Sequence, residues 1–473
     1  MDYFNYRDGR LWCEGVAAEE VAARFGTPSY VYSKATLLGH YDRIAAAFAD
    51  LNPLICYSVK SCGNLGVLRT LVERGAGMDV VSGGELERAF LAGCAMEKVV
   101  YAGVGKTDGE IRAALDGKKS LLSDEATLSS GGRRSDGGGD IAKRGAIGWF
   151  NIESEAEFEN VARIAREMGV KAHGALRVNP DVDPRTHAYT TTGKKESKFG
   201  VDLERALAFF EKYGRDEFLK LDAVHIHLGS PIYTVEPYVQ GINKVLGLID
   251  ELARRGFAIN AIDLGGGFGA DYETDKSPAA ADYAAAILPL LRDWVARPSG
   301  AGESNPPRRG GVPKRIILEP GRTISANAGV LLTRVLYVKQ GGTKTFVITD
   351  AGMQTLIRPS LYGSFHFMWP AEVRPEHVPT RRAEKMDMPG LVPCDVVGPI
   401  CETGDFLAKD RAIPPVKRGD LMAVFTAGAY GMTMASNYNA QPLPAEVLVD
   451  GGEARVVRRR QTVAEMLGAE TGF

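Results

Sequence analysis

A lysine closes the first of a series of apolar, strand-like runs, Leu54-Ile55-Cys56-Tyr57-Ser58-Val59-Lys60. An amine at the end of such a strand is the residue type that can be tuned to condense with an aldehyde. Another run ends in a carboxylate, Glu319 of Glu319-Pro320-Gly321-Arg322, and a third in His225-Ile226-His227. Side chains two apart on a strand share a face, so the histidine pair suits a metal. No third ligand is evident, and HExxH is absent. Two phosphate-loop patterns fail on context. Gly103-Val104-Gly105-Lys106-Thr107 ends like a P-loop, but the required first glycine falls on Val100. Gly265-Gly266-Gly267-Phe268-Gly269-Ala270 fits GxGxxA, yet no helix starts directly after it and it is not in a first βαβ unit. Its glycines still let backbone amides approach an anion closely.

The elements that must position these residues repeat along the chain. Runs at 54–60, 77–81, 98–103, 147–151, 174–178, 222–228, 261–266 and 315–319 make eight, mostly separated by helix-like stretches. Short buried strands alternating with amphipathic helices are parallel βα units. Eight of them fit an α/β fold built on a (β/α)8 barrel, whose chemistry sits at the C-terminal strand ends. At 473 residues the chain exceeds one barrel of roughly 250, so a second domain is expected. After Arg322 the texture changes to strand-rich segments such as Val330–Tyr337, Thr345–Thr349 and Leu421–Phe425, which read as a second, mostly antiparallel β domain. Residues 1–33, with the strand candidate Ser29–Ser33, are assigned to that domain, 34–325 to the barrel and 326–473 to the β domain. The Gly- and Ser-rich stretch at 118–145 and the Pro- and Arg-rich one at 298–313 read as surface insertions.

Composition narrows the partners. With 57 basic residues against 59 acidic ones, a net charge of −2 gives no electrostatic case for nucleic acid or an anionic membrane surface. No run approaches the roughly 20 apolar residues of a membrane span, and the start lacks the pattern of a secretion signal. The six cysteines include no CxxC pair, so reduced thiols and a cytoplasmic location are expected, with a small molecule as the partner.

Several segments occur in an order that resembles the fold-type III pyridoxal-phosphate decarboxylases. They are Tyr57-Ser58-Val59-Lys60, Asp79-Val80-Val81-Ser82-Gly83-Gly84-Glu85-Leu86, His225-Ile226-His227-Leu228-Gly229-Ser230, Gly265-Gly266-Gly267, Glu319-Pro320-Gly321-Arg322, Cys401-Glu402-Thr403-Gly404-Asp405 and Tyr430. Each is weak alone; their joint order is specific. The match is most similar to the diaminopimelate-specific branch, supported by Arg177–Asp183 and Thr192–Gly200.

The resemblance implies pyridoxal 5'-phosphate as cofactor and a role for each matching residue. Lys60 would carry the cofactor, supported by Asp79; His227 would stack on its ring, and Glu319 would face the ring nitrogen. Gly229, Ser230, Gly265, Gly266, Gly267, Gly321, Arg322 and Tyr430 would surround it, several as neutral donors to the phosphate. Arg322, Arg358, Tyr362 and Tyr430 resemble substrate ligands, an arginine fork suiting a carboxylate. Cys401, as proton donor, and Glu402, as reader of a distal ammonium, would come from the partner subunit of a homodimer with shared active sites. The implied reaction converts meso-2,6-diaminopimelate to L-lysine and CO2. The runners-up are a decarboxylase of ornithine, arginine or carboxynorspermidine, and a catalytically silent regulator of the same fold. Retention of Lys60, His227, Glu319 and Cys401 together argues against silence.

Overall fold

The computed structural model describes residues 2–116, 146–184, 198–297 and 313–470. The segment 118–145, residues 298–312 and residues 192–197 lie outside the described residues. Three short strands, β1 (Phe4–Arg7), β2 (Arg10–Cys13) and β3 (Val16–Ala17), make a small antiparallel sheet, and β4 (Ser29–Ser33) follows. The next strands are β5 (Leu54–Ser58), β6 (Gly77–Val80), β7 (Val99–Tyr101), β8 (Trp149–Ile152), β9 (Ala172–Asn179), the two-residue β10 (Val201–Asp202), β11 (Leu219–His225), β12 (Ala261–Asp263) and β13 (Arg315–Leu318). Apart from β10, each pairs in parallel with the next, and β13 returns to β5, so eight strands close into the barrel.

Closure follows from what the strands carry. Cys56, Val100, Ala175, Ala223, Ala261 and Ile317 form a separate buried cluster, one residue from each of six barrel strands. The larger core holds the remaining strand faces and the helices packed on them. The helix Glu155–Met168 illustrates the fit: Phe158, Val161, Ala162 and Ala165 are buried at three- and four-residue spacing. Ser154 caps its first turn, accepting from the Glu157 N–H, and Gly169 ends it at φ 66°.

Beyond the barrel come β14 (Gly329–Gly341), β15 (Lys344–Thr349), β16 (Met368–Pro370), β17 (Val392–Val397), β18 (Phe406–Ile413), β19 (Leu421–Val424), β20 (Ala445–Asp450) and β21 (Glu453–Arg458). They form a sheet in the order β18-β17-β15-β14-β4-β20-β21, with β19 pairing both β14 and β16. All of its pairings are antiparallel except β15–β17 and β4–β20. β4, early in the chain, thus lies inside the second sheet, between β14 and β20.

The second sheet reaches the barrel mouth. Glu446 on β20 accepts from Asn64 Nδ2 at 2.7 Å and from the Tyr32 hydroxyl at 2.8 Å. The Tyr430 N–H donates to the Ser61 carbonyl at 2.7 Å, one residue past Lys60. Lys106, from the P-loop look-alike, points inward instead: its amine donates to the Gly103 and Asn151 carbonyls and to Glu157 Oε1 at 2.5 Å. That ammonium is fully committed to structure. Among the described residues, no helix is long and apolar enough to cross a membrane.

Candidate active site

β5 stops at Ser58, and a single 3-10 turn, Val59–Ser61, lifts Lys60 over the barrel mouth. Lys60 Nζ donates to Asp79 Oδ2 at 2.8 Å, and the Ser58 hydroxyl donates to the same oxygen at 2.5 Å. The Lys60 side chain is 35% exposed while that of Asp79 is fully buried, so the amine stays reachable and its partner does not. Burial opposes the charge on Lys60, but Asp79, Glu319 and Tyr430 outweigh it and hold the amine protonated above its ordinary range. Glu85, whose carboxylate accepts from the Val81 N–H, is pushed up to about 7 by burial, with the nearby Asp79 charge adding to the rise.

Four buried polar residues meet in the barrel mouth beside this pair. Asn151 on β8, His225 on β11, Asp263 on β12 and Glu319 just after β13 are each no more than 4% exposed. Asn151 Nδ2 donates to Glu319 Oε1 at 3.0 Å, and His225 Nε2 lies 3.5 Å from Glu319 Oε2. The sequence offered no evident third ligand for the His225–His227 pair, and the fold groups His225 with other residues. His225, Asp263 and Glu319 bring ligand atoms within 4.8 Å of one another. The three lie on or just past different strands, 38 and 56 residues apart, so only closure of the sheet unites them. His227 is not a member of that group; alternation ends with the strand at His225.

His227 faces the glycines instead. The Gly266 N–H donates to His227 Nδ1 at 3.2 Å, which puts the ring's own proton on Nε2. Burial, reinforced by the Arg177 and Lys60 charges, lowers its pKa well below the ordinary value, so the ring is neutral. The glycines are required here by close approach. A Cβ at Gly266 would stand 2.2 Å from the Glu319 carbonyl oxygen, and one at Gly267, φ +100°, 2.5 Å from that of Gly229. Gly321 likewise packs on Ser58, where a Cβ would meet the serine Cβ at 2.8 Å. Ser230 Oγ accepts from Arg322 Nε at 3.0 Å, which leaves its own proton available for an anion.

Arg322 and Arg358 converge on two tyrosines. Arg322 Nη1 donates to the Tyr272 hydroxyl at 2.8 Å, and its guanidinium lies 4.8 Å from the Tyr430 ring centre. Arg358, at the start of the helix Arg358–Tyr362, lies 5.6, 5.8 and 5.5 Å from the rings of Tyr272, Tyr430 and Tyr362. Both arginines are buried, and neither is within 4 Å of a carboxylate among the described residues. Two buried guanidiniums without an anion are a receptor for one.

Cys401 and Glu402 are exposed and stand apart from this constellation. The Cys401 N–H donates to Asn439 Oδ1, and Glu402 Oε2 accepts from the Tyr438 hydroxyl at 2.8 Å. No described hydrogen bond or ion pair joins either to Lys60, His227 or Glu319. Sequence reasoning missed Asn151, Asp263 and Tyr272. Asp263 had a detectable signal, standing two residues before the glycine run; Asn151 and Tyr272 sit in no motif that sets them apart.

Residues 34–128 and 139–326 match the family model described as pyridoxal-dependent decarboxylase, pyridoxal binding domain. The match omits 129–138, inside the Gly-rich stretch. The diaminopimelate decarboxylase of Pseudomonas aeruginosa is 43% identical over 471 residues, covering 100% of this chain and 99% of the relative. The chain belongs to the diaminopimelate decarboxylase family. Among solved family members, the Helicobacter pylori enzyme complexed with L-lysine is 34% identical with a TM-score of 0.79, covering 96% of this chain and 98% of its own. The M. jannaschi enzyme is 31% identical with a TM-score of 0.83, covering 99% and 98%.

Pyridoxal phosphate is the cofactor of this family of decarboxylases, and the residues present here fit it. Asp79 Oδ1 and both ring nitrogens of His225 are buried without a hydrogen-bond partner in the mouth, so the site has polar capacity to spare. An amine, a buried carboxylate, a neutral flat ring and a glycine cradle are what an aldehyde, a ring nitrogen, an aromatic face and a phosphate call for.

Proposed function

We propose that the protein removes CO2 from meso-2,6-diaminopimelate and releases L-lysine, the last step of lysine biosynthesis. The observation that carries the substrate assignment is the Arg322–Arg358 pair around Tyr272 and Tyr430. It is a second anion receptor, additional to what the cofactor phosphate needs. The bound cofactor acts as sink for the electron pair left when CO2 departs. Lys60 holds the cofactor's aldehyde end, with Asp79 oriented to take or return a proton at Nζ. His227 presents its neutral face, Glu319 keeps a negative charge where a ring nitrogen needs one, and Gly229, Ser230, Gly267 and Tyr430 supply donors to the phosphate, while Gly265 and Gly266, whose N–H groups bond Asp263 and His227, shape the cradle. The carbon that loses CO2 must gain a proton, and the Cys401 thiol is the proposed donor. Incubation with meso-diaminopimelate is expected to yield CO2 and lysine in equal amounts. Ornithine, which lacks the distal carboxylate, is expected to turn over very slowly; comparable rates on the two would promote the runner-up decarboxylase reading.

The exposure of Cys401 and Glu402 supports a homodimer in which each subunit completes the other's site. Mixing inactive Lys60→Ala protein with inactive Cys401→Ala protein is expected to restore part of the activity through hybrid dimers. Absence of recovery, once subunit exchange is demonstrated by mass, would refute the shared site. We also propose the domain division near residues 34 and 325, supported by the placement of β4 in the second sheet. A cytoplasmic location is supported by six unpaired cysteines, five of them buried.

A further inference from the structure

We infer that Arg177 is a further binding residue of the barrel mouth: the edge of its guanidinium formed by Nε and Nη2 takes an oxygen anion, the one carried on the ring of the bound cofactor. This rests on pyridoxal phosphate being that cofactor.

Strand alternation puts the side chain in the mouth. Ala175 on β9 belongs to the buried cluster at which six barrel strands meet, with Ala223 on β11, Ala261 on β12 and Ile317 on β13. Two residues further along, on the same face, stand Arg177, His225, Asp263 and Glu319. Arg177 is in register with His225 and is 4% exposed, so it lies in the inner layer and not on the helix-covered outside. Its surroundings fix the guanidinium and leave one edge unengaged. Nη1 donates to Glu153 Oε1 at 2.9 Å, and both side chains are buried. Glu153 is held in turn, its Oε2 accepting from the Gly200 N–H at 2.8 Å. The centre of the Phe199 ring lies 4.5 Å from the guanidinium. Nε and Nη2 are buried and have no hydrogen-bond partner among the described residues. Their N–H groups point the same way from one planar edge, the arrangement that grips an oxygen anion with two donors. Unmade hydrogen bonds are costly in a buried site, so a ligand that supplies the acceptor is favoured. The charge also reaches the ring-facing side of the mouth: after burial, Arg177 is the next cause that lowers the pKa of His227.

Chemistry selects the anion. Among the anionic groups that cofactor and substrate bring, the phosphate has the glycine cradle with Ser230 and Tyr430, and the distal carboxylate has Arg322 and Arg358. The ring oxygen and the departing carboxylate remain. A carboxylate that leaves as neutral CO2 loses its charge on the way, so a paired arginine would hold the starting state more tightly than the transition state and slow the step. The ring oxygen is under no such constraint.

The test titrates the apo-protein with pyridoxal phosphate and with its 3-deoxy analogue, in which hydrogen replaces the ring oxygen, and reads the ratio of the two dissociation constants. Removing that oxygen also alters the free cofactor, so the quantity that counts is the change in the ratio from unmodified protein to variant. Arg177→Met is expected to lower the preference for pyridoxal phosphate by roughly tenfold or more, the scale for hydrogen bonds to a charged group. Should that variant fail to fold because Glu153 has lost its cation, Arg177→Met combined with Glu153→Gln is read in its place, with the same loss expected. A ratio that stays within about threefold of the unmodified protein, with both ligands weakened alike, shows a role in the fold only and overturns the inference. An unchanged ratio accompanied by a raised KM for diaminopimelate and an unchanged inhibition constant for L-lysine shows that the edge takes the departing carboxylate, and the ring-oxygen assignment is then wrong. If the unmodified protein binds no pyridoxal phosphate, the cofactor reading itself fails and the inference with it, a result distinct from an unchanged ratio.

Discussion

Lys60→Ala protein is expected to take up no pyridoxyl mass under borohydride and to decarboxylate roughly 10³-fold or more slowly than the unmodified chain, the scale for losing a member of a catalytic unit. In the unmodified protein, peptide mapping after reduction should find that mass on Lys60. The argument is positional. Among the described barrel-mouth groups, Lys60 alone combines an amine, a buried carboxylate 2.8 Å away and a side chain 35% exposed. Lys106, which follows the strand end at Tyr101, is buried and bound to two carbonyls and Glu157. Asp79 has a clear function in this scheme. An ammonium is no nucleophile, so Lys60 must lose a proton before it condenses with an aldehyde, and the carboxylate bonded to Nζ is the nearest acceptor. Label on a different lysine, or none, would sink the assignment.

Arg358→Ala is expected to lower kcat/KM for diaminopimelate by about 2–5 kcal/mol, the scale for removing one partner of a buried charge pair. Among the described residues its Nε has no hydrogen-bond partner, Nη2 reaches only Ser364 at 3.2 Å, and three tyrosine rings line the guanidinium. A cation this dry is costly to bury without an anion. The same reasoning predicts the sign of the stability effect. Removing Arg358 from the unliganded protein should leave Tm unchanged or raise it, which separates lost recognition from lost folding. The slow reaction with ornithine, having no distal carboxylate to lose contact with, should change little. Arg358→Lys should recover only part of the loss, because a point charge cannot present two parallel donors. A change in kcat/KM below about threefold on Arg358→Ala would remove the distal-carboxylate reading.

The barrel and the second sheet were legible in the sequence because their signals are local. Each of the eight runs is buried on both faces, and hydrophobic spacing reports that directly. Lys60, His227, Glu319 and the Gly265–Gly267 run were legible because each stands at a strand end, where a parallel barrel keeps its chemistry. The P-loop look-alike at Gly103 could be set aside at that stage too, and Lys106 turned inward against Glu157 accords with this. The metal question could not be answered the same way. His225 is two residues from His227, yet its neighbours are Asp263 and Glu319, brought together by the register of β11, β12 and β13.

The sequence by itself determined the fold class, the strand-end lysine, glutamate and histidine, and the glycine run that follows a strand. Those properties depend on periodicity, on residue type and on the stretch of chain immediately around each position. The tertiary structure alone decided the partners: Asp79 under Lys60, Asn151 and Asp263 around Glu319, and Tyr272 between two arginines. It also decided that Tyr430, far along the chain, bonds Ser61 beside the lysine. Hydrogen bonds and charge pairs between distant segments are fixed by how the sheet closes and by which loop the second sheet presses onto the barrel mouth, and neither leaves a local trace in the order of residues.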